Sequence, residues 1–185
     1  MPLRRSVDVI RNALAMGADK GIHVVTDMST DQQLQPLAVA KILKHVMQEK
    51  QFDMALLGKQ SIDDDYVQTG QILSALMDVP CATFSSEIAF AEDSASATVT
   101  REVDFGLQQV QVSLPAVFTV DLRLNTPRFA NVQGILKAKK KRVRDSLRVS
   151  NNLSEKQGLE QEVVWVGDLG TERREETNRR VRTLY

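Results

Sequence analysis

Apolar positions along this chain follow one rhythm up to about residue 80 and another beyond it. Val7, Ile10, Ala13 and Leu14 recur at helical spacing, Ser6 is placed to cap the start, and Gly17 falls where a left-handed cap closes a helix. The spacing predicts a helix over Val7 to Met16. After the turn Asp19-Lys20-Gly21, the short β-branched run Ile22-His23-Val24-Val25 reads as a strand. A polar stretch then leads to Pro36, which suits the first turn of a helix. Leu37, Ala40, Leu43 and Met47, with Val39 and Val46 beside them, mark an amphipathic helix that keeps Lys41, Lys44 and Glu49 outside. Phe52-Asp53-Met54-Ala55-Leu56-Leu57 is nearly continuous in apolar character until Gly58 stops it, as in a parallel strand buried on both faces. Ile72, Ala75, Leu76 and Val79 then give a helix ended by Pro80. Strand, loop and helix in this order are half of a βαβ unit.

Beyond Pro80 the period shortens. Cys81 to Phe90 and Ala97 to Val103 read as strands, and Asp104-Phe105-Gly106 as a turn. Val110, Val112 and Leu114 then alternate with Gln109, Gln111 and Ser113, the mark of antiparallel strands with one wet face. Pro115 opens another buried run, Ala116 to Val120, closed by Asp121. Gln133 to Lys141 is helix-forming with few apolar anchors, and from about Asp145 the chain is polar apart from Val163-Val164-Trp165-Val166. The expected class is α/β: a doubly wound, mostly parallel sheet with an antiparallel hairpin insertion, over residues 1–144. Residues 145–185 read as a polar C-terminal tail.

Composition narrows the function. At 185 residues with 42% hydrophobic and 26% charged positions, the chain has the make-up of a globular protein. Charges interrupt every apolar run well short of the roughly 20 residues that a membrane helix needs, so direct membrane insertion is not expected. Cys81 is the only cysteine, which excludes an internal disulfide scaffold. The zero net charge conceals an asymmetry. Residues 1–121 hold nine Lys plus Arg against sixteen Asp plus Glu, a balance of −7, and the remainder holds fifteen against eight, +7. Such a sequence dipole fits a C-terminal part that meets something acidic, or simply solvated faces of different sign.

Candidate chemistry concentrates in one stretch, Gly58 to Gly70, which lies after the buried strand and before a helix. At the carboxyl ends of parallel strands, facing helix N-termini, α/β sheets bind nucleotides and other anions. Gly58 lets a ligand approach the backbone, and Gln68 and Thr69 offer donors beside the free N–H groups of the helix start. Asp63, Asp64 and Asp65 disfavour a bare phosphate and suit helix capping, ribose hydroxyls or a cation. The spacing is not that of a P-loop, and a plain loop before a capped helix remains the competing reading. His23 and His45 are the only histidines, neither is near a plausible nucleophile in sequence, and no metal-ligand spacing occurs. The run Lys137 to Arg144 lacks the aromatic interleaving of a nucleic-acid platform and equally fits a solvated helix end, so no nucleic-acid partner is expected.

Four blocks together resemble the beta subunit of electron-transferring flavoprotein: Asn12 to Val24, Leu56 to Gln71, Thr100 to Asn131 and Ile135 to Arg142. They run in the family's order, and Arg101, Asp104 and Pro115 resemble its signature. The resemblance implies a Rossmann-like, adenine-nucleotide-binding fold and a non-catalytic electron carrier. In that family an alpha and a beta subunit hold one FAD, mostly through alpha. The carrier accepts electrons from acyl-CoA and related dehydrogenases and delivers them to a membrane quinone oxidoreductase, in the mitochondrial matrix of eukaryotes or the bacterial cytoplasm. The beta subunit also buries a structural AMP. The residues matching its AMP loop are Gly58, Lys59, Gln60, Ser61, Ile62 and Asp63, then Asp64, Asp65, Tyr66, Val67, Gln68 and Thr69. At Val67 the family usually has Asn, a polar group near the phosphate.

The loop that recognises the dehydrogenase matches Arg128, Phe129, Ala130, Asn131 and Val132, continuing through Gln133, Gly134, Ile135, Leu136 and Lys137. Val132 stands where the family places an anchoring Leu and buries one CH₂ less, worth about 0.8 kcal/mol when desolvated. Gln133 replaces a Pro, and with Gly134 next it is expected to loosen the loop. The lysines that follow resemble a run methylated in animal members. The family's first strand, helix and second strand have no counterpart in MPLRRS, and Asp145 to Tyr185 shares little with it beyond Gly167-Asp168-Leu169-Gly170. Two other readings follow: a truncated paralogue that transfers no electrons, and a stand-alone adenine-nucleotide-binding module.

Overall fold

The computed structural model describes residues 3–26, 28, 33–62, 64–127, 129–141, 143–149 and 161–166. They group into two compact units, one from the chain up to residue 35 together with residues from 127 onward, the other from residues 36–126.

In the first unit, helix α1 (Leu3–Met16) buries Ile10, Ala13 and Leu14 on one stripe, as the spacing predicts. It begins earlier than expected, so Ser6 lies inside the helix and is not its cap. Gly17 takes φ 121°, and the N–H groups of Gly17 and Ala18 return to the carbonyls of Leu14 and Ala13 to close the helix. Strand β1 (Gly21–Thr26) is buried almost throughout.

The residues after 126 add helix α4 (Val132–Lys140) and strands β7 (Val143–Val149) and β8 (Gln161–Val166). β1 lies between β7, which is parallel to it, and β8, which is antiparallel. The boundary placed at residue 144 therefore falls inside β7, and the polar stretch supplies two strands. The physical reason is that apolar residues spaced along a polar segment suffice once a buried strand offers both its edges. The rest of 145–185 lies outside the described residues.

The second unit opens with α2 (Pro36–Lys50), which buries Ala40, Ile42, Leu43, Val46 and Met47. Strand β2 (Met54–Gly58), helix α3 (Thr69–Met77) and strands β3 (Cys81–Phe90), β4 (Ser96–Val103), β5 (Gly106–Ser113) and β6 (Ala116–Val120) follow. The five strands form one open sheet in the order β2-β6-β3-β4-β5. Parallel pairing joins β2, β6 and β3, and antiparallel pairing carries β3 into the expected β4–β5 hairpin. The α/β class with its antiparallel insertion is thus observed.

β6 is the most fully buried strand of the unit: Ala116, Val117, Phe118 and Thr119 are all buried. Phe118 packs with Ala82, Ile88, Ala97, Val99 and Val112 on one face. On the other, α3 crosses β6 and α2 packs against α3. β2 corrects one expectation. It is an edge strand among the described residues of its unit, so only Ala55 is fully buried where burial on both faces was expected. α3 corrects another. Its buried face is Gly70, Leu73 and Ser74, two positions out of step with the apolar stripe and so on nearly the opposite side of the helix, because small residues let the helix approach the sheet.

Candidate functional site

The stretch from Gly58 to Thr69 does occupy the carboxyl end of a parallel pair. β2 and β6 run side by side with Gly58 opposite Val120, and the ladder continues one step further through Lys59 N–H to the Val120 carbonyl at 3.1 Å. α3 begins where the loop ends. Its N-cap, Gln68, offers no side-chain bond to the helix, so the first N–H groups of α3 keep their capacity for an outside acceptor. A side chain at Gly58 would meet nothing nearer than the Gln60 carbonyl at 3.9 Å, so the glycine is not demanded by the chain's own packing and leaves the backbone open to a ligand.

Between these ends the loop is held by its own bonds. Ser61 N–H donates to the Tyr66 carbonyl and Tyr66 N–H donates to Ser61 Oγ, each at 3.0 Å. The Gln60 amide donates to Asp65 Oδ1 at 3.0 Å and to its carbonyl at 3.3 Å, and Asp65 takes the left-handed conformation, φ 59°. Ile62 is 98% exposed, and Asp64 and Tyr66 are exposed too. Asp63 lies outside the described residues. Val67 is half-buried and brings no polar group to the loop.

Lys59 is paired within the chain. Its Nζ sits 2.5 Å from Oδ2 of Asp121, the residue that follows β6. Asp121 Oδ1 accepts from the Arg123 N–H at 3.0 Å and from its Nε at 3.3 Å, at the start of a 3₁₀ turn, Leu122–Leu124. The Arg123 guanidinium also pairs with Glu102. Asp121 is only 5% exposed, and the bond from Lys59 above all pulls its carboxyl down to about 2 against the cost of burial. Asp121 and Arg123 are the residues that sequence reasoning did not single out. The available signal was an acidic residue immediately after a buried strand, which reads equally well as a strand terminator.

Gly70, in the first turn of α3, is pressed onto β6: a Cβ there would fall inside 3.0 Å of Thr119 Cγ2. Thr119 Oγ1 in turn accepts from Phe84 N–H at 3.1 Å, where β3 bulges and Phe84 takes φ 54°. Cys81, expected to be a small core residue, is half-buried, and burial pushes its thiol up. His23 is buried in β1 and His45 exposed on α2. Among the described residues no group of three His, Cys, Asp or Glu is gathered for a metal ion, and no helix is long and apolar enough to cross a membrane.

The second candidate stretch belongs to the first unit. Arg128 lies outside the described residues. Phe129 is 97% exposed and Val132 74%, and Ile135 and Leu136 are exposed beside them, so one apolar patch faces outward. From Val132 the stretch is the helix α4. Asn131 caps it, its Oδ1 accepting from Gly134 N–H at 2.6 Å. Gln133 and Lys137 are exposed and Ala130 is half-buried. Gly134, next to the Gln133 expected to loosen the loop, is where α4 crosses α1: a Cβ there would fall inside 3.0 Å of the Ala15 carbonyl. Arg11 fastens the other end, donating to the Ala138 carbonyl at 2.6 Å, and Lys141 Nζ donates to the Ala18 carbonyl at 2.6 Å.

Comparison with known proteins sets these features in a family. The electron transfer flavoprotein domain matches residues 4–146. The electron transfer flavoprotein subunit beta of Dictyostelium discoideum is 46% identical over 153 residues, 80% of this chain and 59% of that protein. That of Sus scrofa is 43% identical over 165 residues, 89% of this chain and 57% of that protein. The mitochondrial subunit beta of Arabidopsis thaliana is 50% identical over 138 residues, 75% of this chain and 53% of that protein. The chain thus spans somewhat more than half the length of these relatives. With the matching domain covering most of its length, and the relatives agreeing in kind, the chain belongs to the electron transfer flavoprotein family as a beta-subunit member.

Proposed function

We propose that the chain works as an electron carrier subunit and not as an enzyme in its own right: the beta half of a heterodimer whose alpha half holds most of one FAD. In this reading the pair takes electrons from acyl-CoA and related dehydrogenases and passes them to a quinone oxidoreductase. The name of the Arabidopsis relative supports a mitochondrial setting. AMP is the nucleotide proposed for the loop from Gly58 to Thr69, and the apolar patch of Phe129, Val132, Ile135 and Leu136 is the surface proposed for the dehydrogenase.

The observation that carries the nucleotide assignment is the junction of β2, β6 and α3. Uncapped N–H groups of α3 supply donors for a single phosphate, and the open backbone at Gly58 leaves room beside them. When bound, FAD supplies the one- and two-electron chemistry, and this chain's contribution is to cover and orient it. The test is co-expression with an alpha subunit of the family. The expected result is a yellow heterodimer that releases AMP on denaturation; a colourless chain that never restores flavin binding overturns the reading.

A stand-alone adenine-nucleotide module is favoured by one observation, that the whole loop and its supports lie within one compact unit. That reading expects AMP at one hundred times its Kd to stabilise the isolated chain by about 2.7 kcal/mol.

A further inference from the structure

Lys59 is the only basic side chain in the loop between Gly58 and Thr69, and the obvious role for it is to meet a phosphate. The geometry points elsewhere. Its ammonium rests against a carboxylate that is itself buried and already held by two donors of Arg123. Its backbone N–H extends the β2–β6 ladder by bonding to Val120. Asp121 is anchored on its other side, since its N–H donates to the Ser85 carbonyl at 2.9 Å. The first loop residue is therefore tied at two points to the end of β6, and that end is tied to β3.

We propose that Lys59 and Asp121 are positioning residues, a latch that sets the nucleotide loop on the end of β6, and that Lys59 contributes no direct bond to the nucleotide's phosphate. This deepens the nucleotide reading given above and rests on it. A lysine neutralised by a buried carboxylate adds little net attraction for an anion, while its fixed stem decides where the chain leaves β2. The phosphate is left to the N–H groups that open α3 and to the donors at Gln68 and Thr69. Residues after Lys59 then turn back on themselves through the Ser61–Tyr66 bonds, and the latch fixes the position of that closed turn relative to the helix start.

The experiment uses the full chain and two readouts. Hydrogen exchange at the Ser61 and Tyr66 amides, without nucleotide, reports the set of the loop; calorimetric titration with AMP reports binding. Lys59→Met and Asp121→Asn are expected to raise exchange at both amides at least tenfold and to weaken AMP at least tenfold. Lys59→Arg, which keeps a charged donor, is expected to hold both within about threefold of the parent. Amides of β4 are the control for the fold. If Asp121→Asn loses protection there as well, Lys59→Met decides, because it leaves the carboxylate with Arg123.

Weakened AMP binding in Lys59→Met with loop exchange unchanged overturns the latch and makes Lys59 a phosphate ligand. Unchanged exchange in both variants overturns it whatever the affinity. If the parent chain takes up no AMP, the nucleotide reading fails on its own, and the exchange measurement still decides whether Lys59 and Asp121 set the loop.

Discussion

Gly70→Ala tests whether the close approach of α3 to β6 is what places the helix start. The new Cβ would fall inside 3.0 Å of Thr119 Cγ2, with Val117 Cγ1 at 3.8 Å and Thr119 Cβ at 3.9 Å. Ordinary carbon contact lies near 3.5–4.0 Å, so helix and strand must part by roughly 1 Å. Thr119 cannot give way by turning, because it is 1% exposed and its Oγ1 holds Phe84 N–H. Overpacking of this kind costs about 1–3 kcal/mol, and replacing Gly by Ala in a helix returns up to about 1 kcal/mol. The net expectation is a loss of about 1–2 kcal/mol in urea denaturation. Thr119→Ser removes the clashing methyl and keeps the hydroxyl. Alone it should cost about 0.5–1.5 kcal/mol for the lost buried group. In the double variant, Gly70→Ala should then cost nothing or become favourable, a coupling of at least about 1 kcal/mol. A Gly70→Ala chain as stable as the parent, or additive costs in the cycle, would refute the account. So would unchanged AMP affinity in Gly70→Ala, since the helix start would then not need its seat on β6.

Two further outcomes are expected. Asp121 has its folded pKa, about 2, below the ordinary 3.8, so it contributes stability that is complete above about pH 4 and is lost as pH falls through 2. The shift corresponds to about 2 kcal/mol at 1.36 kcal/mol per unit, trimmed to about 1–2 because Lys59 is partly and Arg123 largely open to solvent. Denaturation curves of the parent and of Asp121→Asn should therefore converge between pH 4 and pH 2, and parallel curves count against the assignment. Asn131→Ala removes the cap on α4 and should cost that helix about 1 kcal/mol, read as faster amide exchange at Gly134 and Ile135; exchange at the parent's rate would mean that the cap carries nothing.

What could be read in the sequence was whatever has a local period. The α2 stripe from Ala40 to Met47 and the β4–β5 hairpin with Gly106 at φ 134° repeat at about 3.6 or two residues, the buried run of β6 is continuous and equally local, and each stands where the pattern puts it. The face of α3 was misread because its contact with the sheet is made by Gly70 and Ser74 as much as by Leu73, and small residues carry no apolar signal. β2 was misread because an apolar run does not tell how many neighbours a strand has. The loop was legible as a place, since a strand ending in glycine before a helix is a local pattern. Its chemistry was not, because Lys59 and Asp121 are 62 residues apart and no periodicity relates them. A lone lysine beside a helix start reads as a phosphate ligand until the partner that neutralises it is known. That partner is supplied by topology: β2 and β6 are adjacent and parallel, so the residues that end them must meet. The same reasoning bears on any α/β site read from sequence alone. The acidic or basic residues that close neighbouring strands should be paired with each other before either is assigned to the ligand.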